Sequence, residues 1–314
     1  MAAAVSKSTI KSYSKVNLYL EVVNQRKDGY HNLRTLFARI NLTDSIFLKT
    51  RLDDNLIKIK CNHPRVPLDQ RNLCFRSARL LQQEFNLKQG LEISINKRVP
   101  VAAGLGGGSG NAAAVLRGLN KLWGLKLSTK KLVALAKQIG SDVAFFIYQE
   151  KFAQGFLRGD KIRLLKQLKS LKLWFVIILP GINVSTPLIF RQWDKYSSKK
   201  QPGKNGILRK NSRLTGLTIP EHDVKMLTSE LKVRGRNVRP EFLFNGLEPV
   251  TTQLYPEARR AKSALINEGL NRVLMSGSGP AVFAICSSRI QAKRISKKIQ
   301  NKYTTWQVYC VSSI

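Results

Sequence analysis

The stretch Pro100–Ala113, P-V-A-A-G-L-G-G-G-S-G-N-A-A, joins a glycine-saturated loop to the start of an alanine-rich helix. Gly104, Gly106, Gly107, Gly108 and Gly110 carry no Cβ that would keep an anion away from the main-chain amides, and they tolerate the positive φ angles an anion-binding cup needs. The following helix turns its unpaired N–H groups and positive dipole end toward the same place. Ser109 or Asn111 is the expected cap. No Lys-Ser/Thr pair follows the last glycine, and no G-x-G-x-x-G is closed by an acid about twenty residues on, so neither a Walker A loop nor a dinucleotide fingerprint is present. The flanks give the loop its setting. Leu91, Ile93 and Ile95 alternate with Glu92, Ser94 and Asn96 as in a half-buried strand, and Ala112, Val115, Leu116 and Leu119 recur at helical spacing. Strand, glycine turn and helix in that order predict phosphate binding.

The 314 residues suit two domains of ordinary size. No apolar run reaches the ~20 residues that span a bilayer. The longest candidate, Leu173 to Leu179, ends at Pro180-Gly181 and reads as a buried strand, so no membrane association is expected. The first residues lack the apolar segment of a secretory signal, and a cytoplasmic location is expected. Cys61, Cys74, Cys286 and Cys310 form no C-x-x-C pair, which predicts free thiols and no metal site of their own. The formal charge of +35 attracts polyanions without specificity. Its lysines and arginines are spread along the chain, with enrichment in the turn-rich segment Lys195 to Arg239. No aromatic-interleaved basic ribbon appears, so specific nucleic-acid binding is not expected.

The segment Thr9 to Val22 reads as a strand with Ile10, Val16, Leu18, Leu20 and Val22 on one face and Lys15, Asn17 and Tyr19 on the other. A polar turn, R-K-D-G-Y-H, leads to a second apolar stretch, Leu33 to Leu48. Asn72 to Phe85 has helical periodicity. Ser128 caps a further helix that Gly140 ends, and G-S-D-V-A-F-F follows at once, so Asp142 lies at a helix-end turn beside Val143, Ala144, Phe145 and Phe146. Near Leu171 the character changes. W-F-V-I-I-L is a continuous apolar strand, and Thr186 with Pro187 opens a helix. A helix over Pro256 to Gly269, the strand–turn–strand V-L-M-S-G-S-G-P-A-V-F-A-I-C, a basic helix over Arg289 to Lys302 and a last strand near Trp306 to Val311 complete an α+β pattern.

Taken together, the glycine loop, G-S-D-V-A-F-F and M-S-G-S-G-P-A-V-F resemble the motifs of the GHMP kinases, and the likeness spans nearly the whole chain. Within that family, S-K-V-N-L-Y-L, R-K-D-G-Y-H-N-L, P-G-I-N-V-S-T-P-L-I-F and N-G-L-E-P-V are similar to the members that act on a cytidine-diphosphate-linked methylerythritol. The resemblance implies an α+β, two-domain fold: an N-terminal α/β domain over residues 1–165 carrying the glycine loop, and a C-terminal ferredoxin-like α+β domain over residues 166–314. It implies an ATP-dependent transfer of phosphate to an alcohol, the 2-hydroxyl of that substrate, with Mg²⁺, by a monomer or homodimer. Asp142 is then the general base and Lys15 its charged partner. ATP is implied at Asn72, Leu73 and Lys97 and along the loop at Pro100, Val101, Ala102, Ala103, Gly104, Leu105, Gly106, Gly107, Gly108, Ser109 and Gly110. The substrate falls to Asn17, Tyr30, His31, Thr186 and Phe190, with cytosine between the rings of Tyr30 and Phe190 and paired with His31. A GHMP kinase for another small alcohol, and a non-catalytic RNA-binding member, are the alternatives. Five positions depart from the family pattern: Ala102 and Ala103 replace glycines, Gly110 a serine, Ala144 a proline, and Gly246 an aspartate. The missing hydroxyl at Gly110 predicts weaker organisation of magnesium.

Overall fold

Alternating apolar residues make the N-terminal segment into two strands far longer than the ~5–6 residues usual in globular proteins. They are β1, Lys7–Gln25, and β2, His31–Arg51, joined by a turn in which Arg26 N–H donates to Tyr30 O at 2.7 Å. The computed structural model describes residues 6–52, 54–199 and 223–314, so the centre of the basic segment expected over 195–239 lies outside the described residues. The chain divides into two compact units. The first comprises residues 1–16, 37–169 and 313–314, and the second residues 17–36 and 170–312. The tip of the β1–β2 hairpin therefore belongs to the second unit, although its base belongs to the first.

In the first unit β3 (Ile57–Cys61), α1 (Leu73–Glu84) and β4 (Gly90–Asn96) follow the hairpin. β4 lies between β3 and β2, parallel to the former and antiparallel to the latter, with Ile46 opposite Ile95 and Leu48 opposite Ile93. Helices α2 (Gly107–Leu122), α3 (Thr129–Ile139) and α4 (Val143–Tyr148) come next, then the hairpin of β5 (Phe152–Leu157) and β6 (Lys161–Leu164). The apolar faces read from periodicity meet in one core: Ile46, Leu48, Ile93 and Ile95 from the sheet, Val115, Leu116 and Leu119 from α2, Leu132 and Leu135 from α3, and Phe145 and Phe146 from α4. As expected, Ser128 caps α3 through Lys131 N–H, and Gly140 closes it.

The second unit is built on β7 (Trp174–Leu179). After it come α5 (Thr186–Lys199), α6 (Asp223–Arg234), β8 (Phe244–Asn245), α7 (Glu248–Leu254) and α8 (Pro256–Asn267). β9 (Val273–Met275), β10 (Val282–Cys286), α9 (Arg289–Lys302) and β11 (Gln307–Ser312) end the chain. The sheet order β11-β7-β10-β9 is antiparallel throughout. Ala261 and Leu265 of α8 and Ile295 and Ile299 of α9 pack on Val176, Ile178, Val282 and Ala284. The hairpin tip adds Leu20 and Val22 to this core and pairs with β8 in parallel, Leu20 opposite Asn245. The face of β1 carrying Lys15, Asn17 and Tyr19 is as buried as the apolar one, which its mixed composition did not indicate.

Asn245 ties the second glycine turn, Ser276–Gly279, to β8. Its Nδ2 donates to Met275 O at 2.7 Å and Gly277 O at 2.8 Å, and its Oδ1 accepts from Leu247 N–H at 2.9 Å. Replacing it with leucine leaves two buried carbonyls and one amide unpaired, so Asn245→Leu is expected to lower stability by about 2–4 kcal/mol in urea denaturation. A loss under about 0.5 kcal/mol would show that the turn holds without this brace.

Candidate active site

The glycine loop of the first unit takes up left-handed backbone at Ala102 (φ 57°), Gly104 (φ 75°) and Gly106 (φ 68°). Gly106 is the N-cap of α2, and its conformation swings the chain into the helix at Gly107. Ser109 and Asn111 therefore lie inside the helix rather than capping it, a correction to the expectation from sequence. Asn111 turns its Oδ1 toward β1 and accepts from Ser12 Oγ at 2.7 Å. The N-terminus has no side-chain cap and no acid in its first turn, so nothing covalent to the helix competes with an anion for its amides.

Leu73 and Lys97 reach the start of α2, and Asn72 precedes Leu73 at the head of α1. Asn72 caps α1, its Oδ1 accepting from Cys74 N–H at 2.9 Å and its Nδ2 donating to Pro67 O at 2.7 Å. Leu73 Cδ1 lies 3.8 Å from where a Cβ on Gly108 would stand, and Lys97 Nζ 2.9 Å from that of Gly107. The Lys97 ammonium is fixed by Asp44, at 2.5 Å, whose other oxygen accepts from Arg98 N–H and Val99 N–H at 2.7 Å each. Asp44 was not among the expected site residues. A signal was available: it shares its face of β2 with Ile46 and Leu48, so a carboxylate had to be buried there and needed partners.

Lys15 and Asp142 meet beside the loop. Lys15 N–H donates to Leu105 O at 2.9 Å, and Nζ donates to Gly104 O at 2.9 Å and stands 3.5 Å from Asp142 Oδ2. Asp142 occupies the N-cap position of α4 yet makes no capping bond; its carboxylate is directed to the ammonium instead. The lysine side chain is 4% exposed and the aspartate 30%, so the pair is closed on one side and reachable on the other. Burial pushes the Lys15 pKa below its ordinary value, and the Asp142 charge acts in the opposite sense. Such a carboxylate can take a proton, and such an ammonium can hold developing negative charge.

Gly110 has a different role from the one its family position suggests. A Cβ there would lie 2.2 Å from Tyr13 O and 3.0 Å from Ser12 Oγ, so the position faces the backbone of β1 and has no room for a side chain. The absence of a hydroxyl is a condition of this close helix–strand contact rather than a loss from the anion cup.

In the second unit His31 and Phe190 are in contact, their rings stacked at 4.8 Å, and His31 Nε2 lies 2.7 Å from Asp194 Oδ1. Trp193 meets the imidazole edge-on at 5.9 Å. Tyr30 sits at the hairpin turn and is 59% exposed. Asn17 is buried, its Nδ2 donating to Thr35 Oγ1 at 2.8 Å and its amide to Ser276 Oγ at 3.3 Å. Exposed Thr186, the first residue of α5, pairs with Ser278 of the second glycine turn at 2.7 Å. Asp194 and Trp193 were missed, although Phe190, Trp193 and Asp194 fall at i, i+3 and i+4 on one helix face. Among the described residues no three His, Cys, Asp or Glu side chains gather as a metal site, and no helix is long and apolar enough to cross a membrane.

Comparison with known proteins places the chain among relatives of one family. The family model described as GHMP kinases N terminal domain matches residues 72–150, and GHMP kinases C terminal matches residues 219–305. A protein of Bacillus velezensis named 4-diphosphocytidyl-2-C-methyl-D-erythritol kinase is 38% identical over 305 residues, 97% of this chain and 96% of the relative. One of the same name from Listeria innocua is 36% identical over 292 residues, 92% of this chain and 91% of the relative. A crystal structure of 4-(cytidine 5'-diphospho)-2C-methyl-D-erythritol kinase superposes with TM-score 0.73 at 28% identity, covering 97% of this chain and 99% of that one. The mevalonate kinase of L. major shares the fold, with TM-score 0.75 at 16% identity over 99% of this chain and 97% of that one.

The contact at Gly110 gives a direct test. Gly110→Ser restores the hydroxyl but forces α2 away from β1, and is expected to cost about 1–3 kcal/mol in urea denaturation. Stability equal to the parent protein would mean that the helix and strand are not in this contact.

Proposed function

The chain belongs to the GHMP kinase family, and from this we propose that it transfers the γ-phosphoryl group of ATP to the 2-hydroxyl of 4-diphosphocytidyl-2-C-methyl-D-erythritol, with Asp142 as base and Lys15 as its partner. It is an ATP-dependent small-molecule kinase of isoprenoid precursor synthesis. The observation that carries the mechanism is the Lys15–Asp142 pair at 3.5 Å, anchored on Gly104 O of the glycine loop.

The uncapped start of α2 suits the ATP phosphates, which its amides and dipole would hold without any side chain between. Leu73 and Lys97 border that start, and with Asn72 they are assigned to the nucleotide. Asp142 accepts the proton of the 2-hydroxyl as its oxygen bonds to the γ-phosphorus and the bond to ADP breaks; ADP leaves and the proton remains on the carboxylate. Lys15 stabilises charge on the reacting oxygens. Phosphoryl transfer asks the protein mainly for positioning and for such charge stabilisation. Mg²⁺ accompanies ATP in this reading, neutralising phosphate charge. Ser109 and Asp142 are the side-chain oxygens beside the loop that would help to hold it, and a cation carried mainly by phosphates and water needs no dedicated cluster. On the substrate side, Tyr30, His31 and Phe190 are assigned to cytosine, and Asn17 and Thr186 to the neighbouring groups. A cytoplasmic location goes with this reading.

Asp142→Asn keeps the shape and removes the base. With the cytidine-linked substrate, kcat is expected to fall about 10³-fold while ATP affinity, measured by calorimetry, changes less than about threefold. Unchanged turnover would remove Asp142 from the mechanism.

A second expectation concerns pH. Because burial lowers the Lys15 pKa, its charge is lost below the ordinary 10.5, and activity declines on the alkaline side before a free lysine would titrate. Arginine at this position keeps its charge to higher pH. Lys15→Arg is therefore expected to lower the maximal rate through altered geometry but to move the alkaline limb of the kcat profile upward. An alkaline limb at the same pH in both proteins would assign that ionisation elsewhere.

A further inference from the structure

Assigning cytosine to His31 leaves open how one imidazole separates cytosine from uracil. His31 is 7% exposed, and its Nε2 faces a carboxylate at 2.7 Å. A carboxylate only accepts, so the proton of the neutral ring stands on Nε2 and the lone pair on Nδ1. Two aromatic neighbours hold the ring in that orientation: Phe190 stacked on its face at 4.8 Å and Trp193 against its edge at 5.9 Å. All three partners come from one face of α5. Among the described residues no hydrogen bond reaches Nδ1.

An acceptor at Nδ1 has one complement on the pairing edge of cytosine. N3 and O2 are acceptors themselves; the 4-amino group alone donates. Uracil offers the carbonyl oxygen O4 at the same place, and two lone pairs would face each other. We propose that Asp194 is a positioning residue that makes His31 selective for cytosine over uracil, by holding Nε2–H and so presenting Nδ1 to the 4-amino group. This rests on the assignment of the cytidine-linked substrate to Tyr30, His31 and Phe190. A site built around one such bond rejects the base that cannot make it.

The test compares cytidine- and uridine-diphosphate-linked methylerythritol as substrates, and CMP and UMP as ligands, for the parent protein, Asp194→Leu and Asp194→Asn. The parent is expected to prefer the cytidine substrate by more than ~100-fold in kcat/KM, and Asp194→Leu to cut that preference below ~10-fold through KM. Asp194→Asn, whose amide oxygen still accepts from Nε2–H, should recover most of it. The ¹⁵N spectrum of His31 should report the Nε2–H form in the parent and its loss in Asp194→Leu. Full discrimination retained by Asp194→Leu, or an Nδ1–H ring in the parent, would overturn the proposal. A parent that separates CMP from UMP in binding yet turns over neither substrate would overturn the kinase mechanism while supporting this one, and failure to separate them would overturn this one alone if turnover persists.

Discussion

The Lys15 ammonium is a charge taken out of water, and the first unit is organised around compensating it. An isolated buried ion costs several kcal/mol, so the arrangement stands only because a carbonyl and a carboxylate close on it together. The carbonyl belongs to Gly104, the carboxylate to Asp142, and the lysine to β1. The backbone of the same residue accepts a second duty, its amide bonding Leu105 O. Strand β1 thus grips the glycine loop at two successive carbonyls, which fixes where α2 begins. One electrostatic requirement links the position of Asp142, the shape of the loop and the start of the helix.

Glycine-rich turns have few side chains with which to define themselves, and in this molecule they take their shape from buried polar residues on neighbouring elements. Asp44 pins the approach to the first loop through one ammonium and two amides. Asn245 does so for the second turn through two carbonyls and one amide. Each replaces water completely, and a network satisfied in this way admits one arrangement where an apolar filling would admit several. Asp194 applies the same device to a side chain, orienting an imidazole rather than a loop.

Much of this was legible in the chain. Strand, glycine loop and helix were read from period-2 and period-3.6 spacing around Pro100–Ala113, and the helix opened by Ser128 and closed by Gly140 followed from capping chemistry. The Lys15–Asp142 pair came from resemblance, since nothing in local sequence says that residues so far apart touch. What escaped was set by tertiary contact. The start of α2 depends on Gly106 adopting left-handed backbone, so Ser109 and Asn111, good caps by type, were left inside the helix. Gly110 looked like a missing ligand because its neighbour across the core, Tyr13 O, is invisible in one dimension. Asp44 and Asp194 were legible in principle, one by its parity with Ile46 and Leu48, the other by its spacing from Phe190.

The hairpin tip has a consequence for how the chain is made. Residues 17–36 are synthesised before residues 170–312, yet Leu20 and Val22 belong to a core whose other buried members, Val176, Val250 and Val282 among them, come from that later stretch. A nascent chain ending near Lys169 therefore carries a long strand pair with an uncovered greasy end, the kind of surface on which chaperones act and aggregates grow. The closing residues Ser313 and Ile314 return to the first unit, Ile314 bonding Arg39 O. Each unit draws on separate stretches of the chain, so neither is a contiguous fragment.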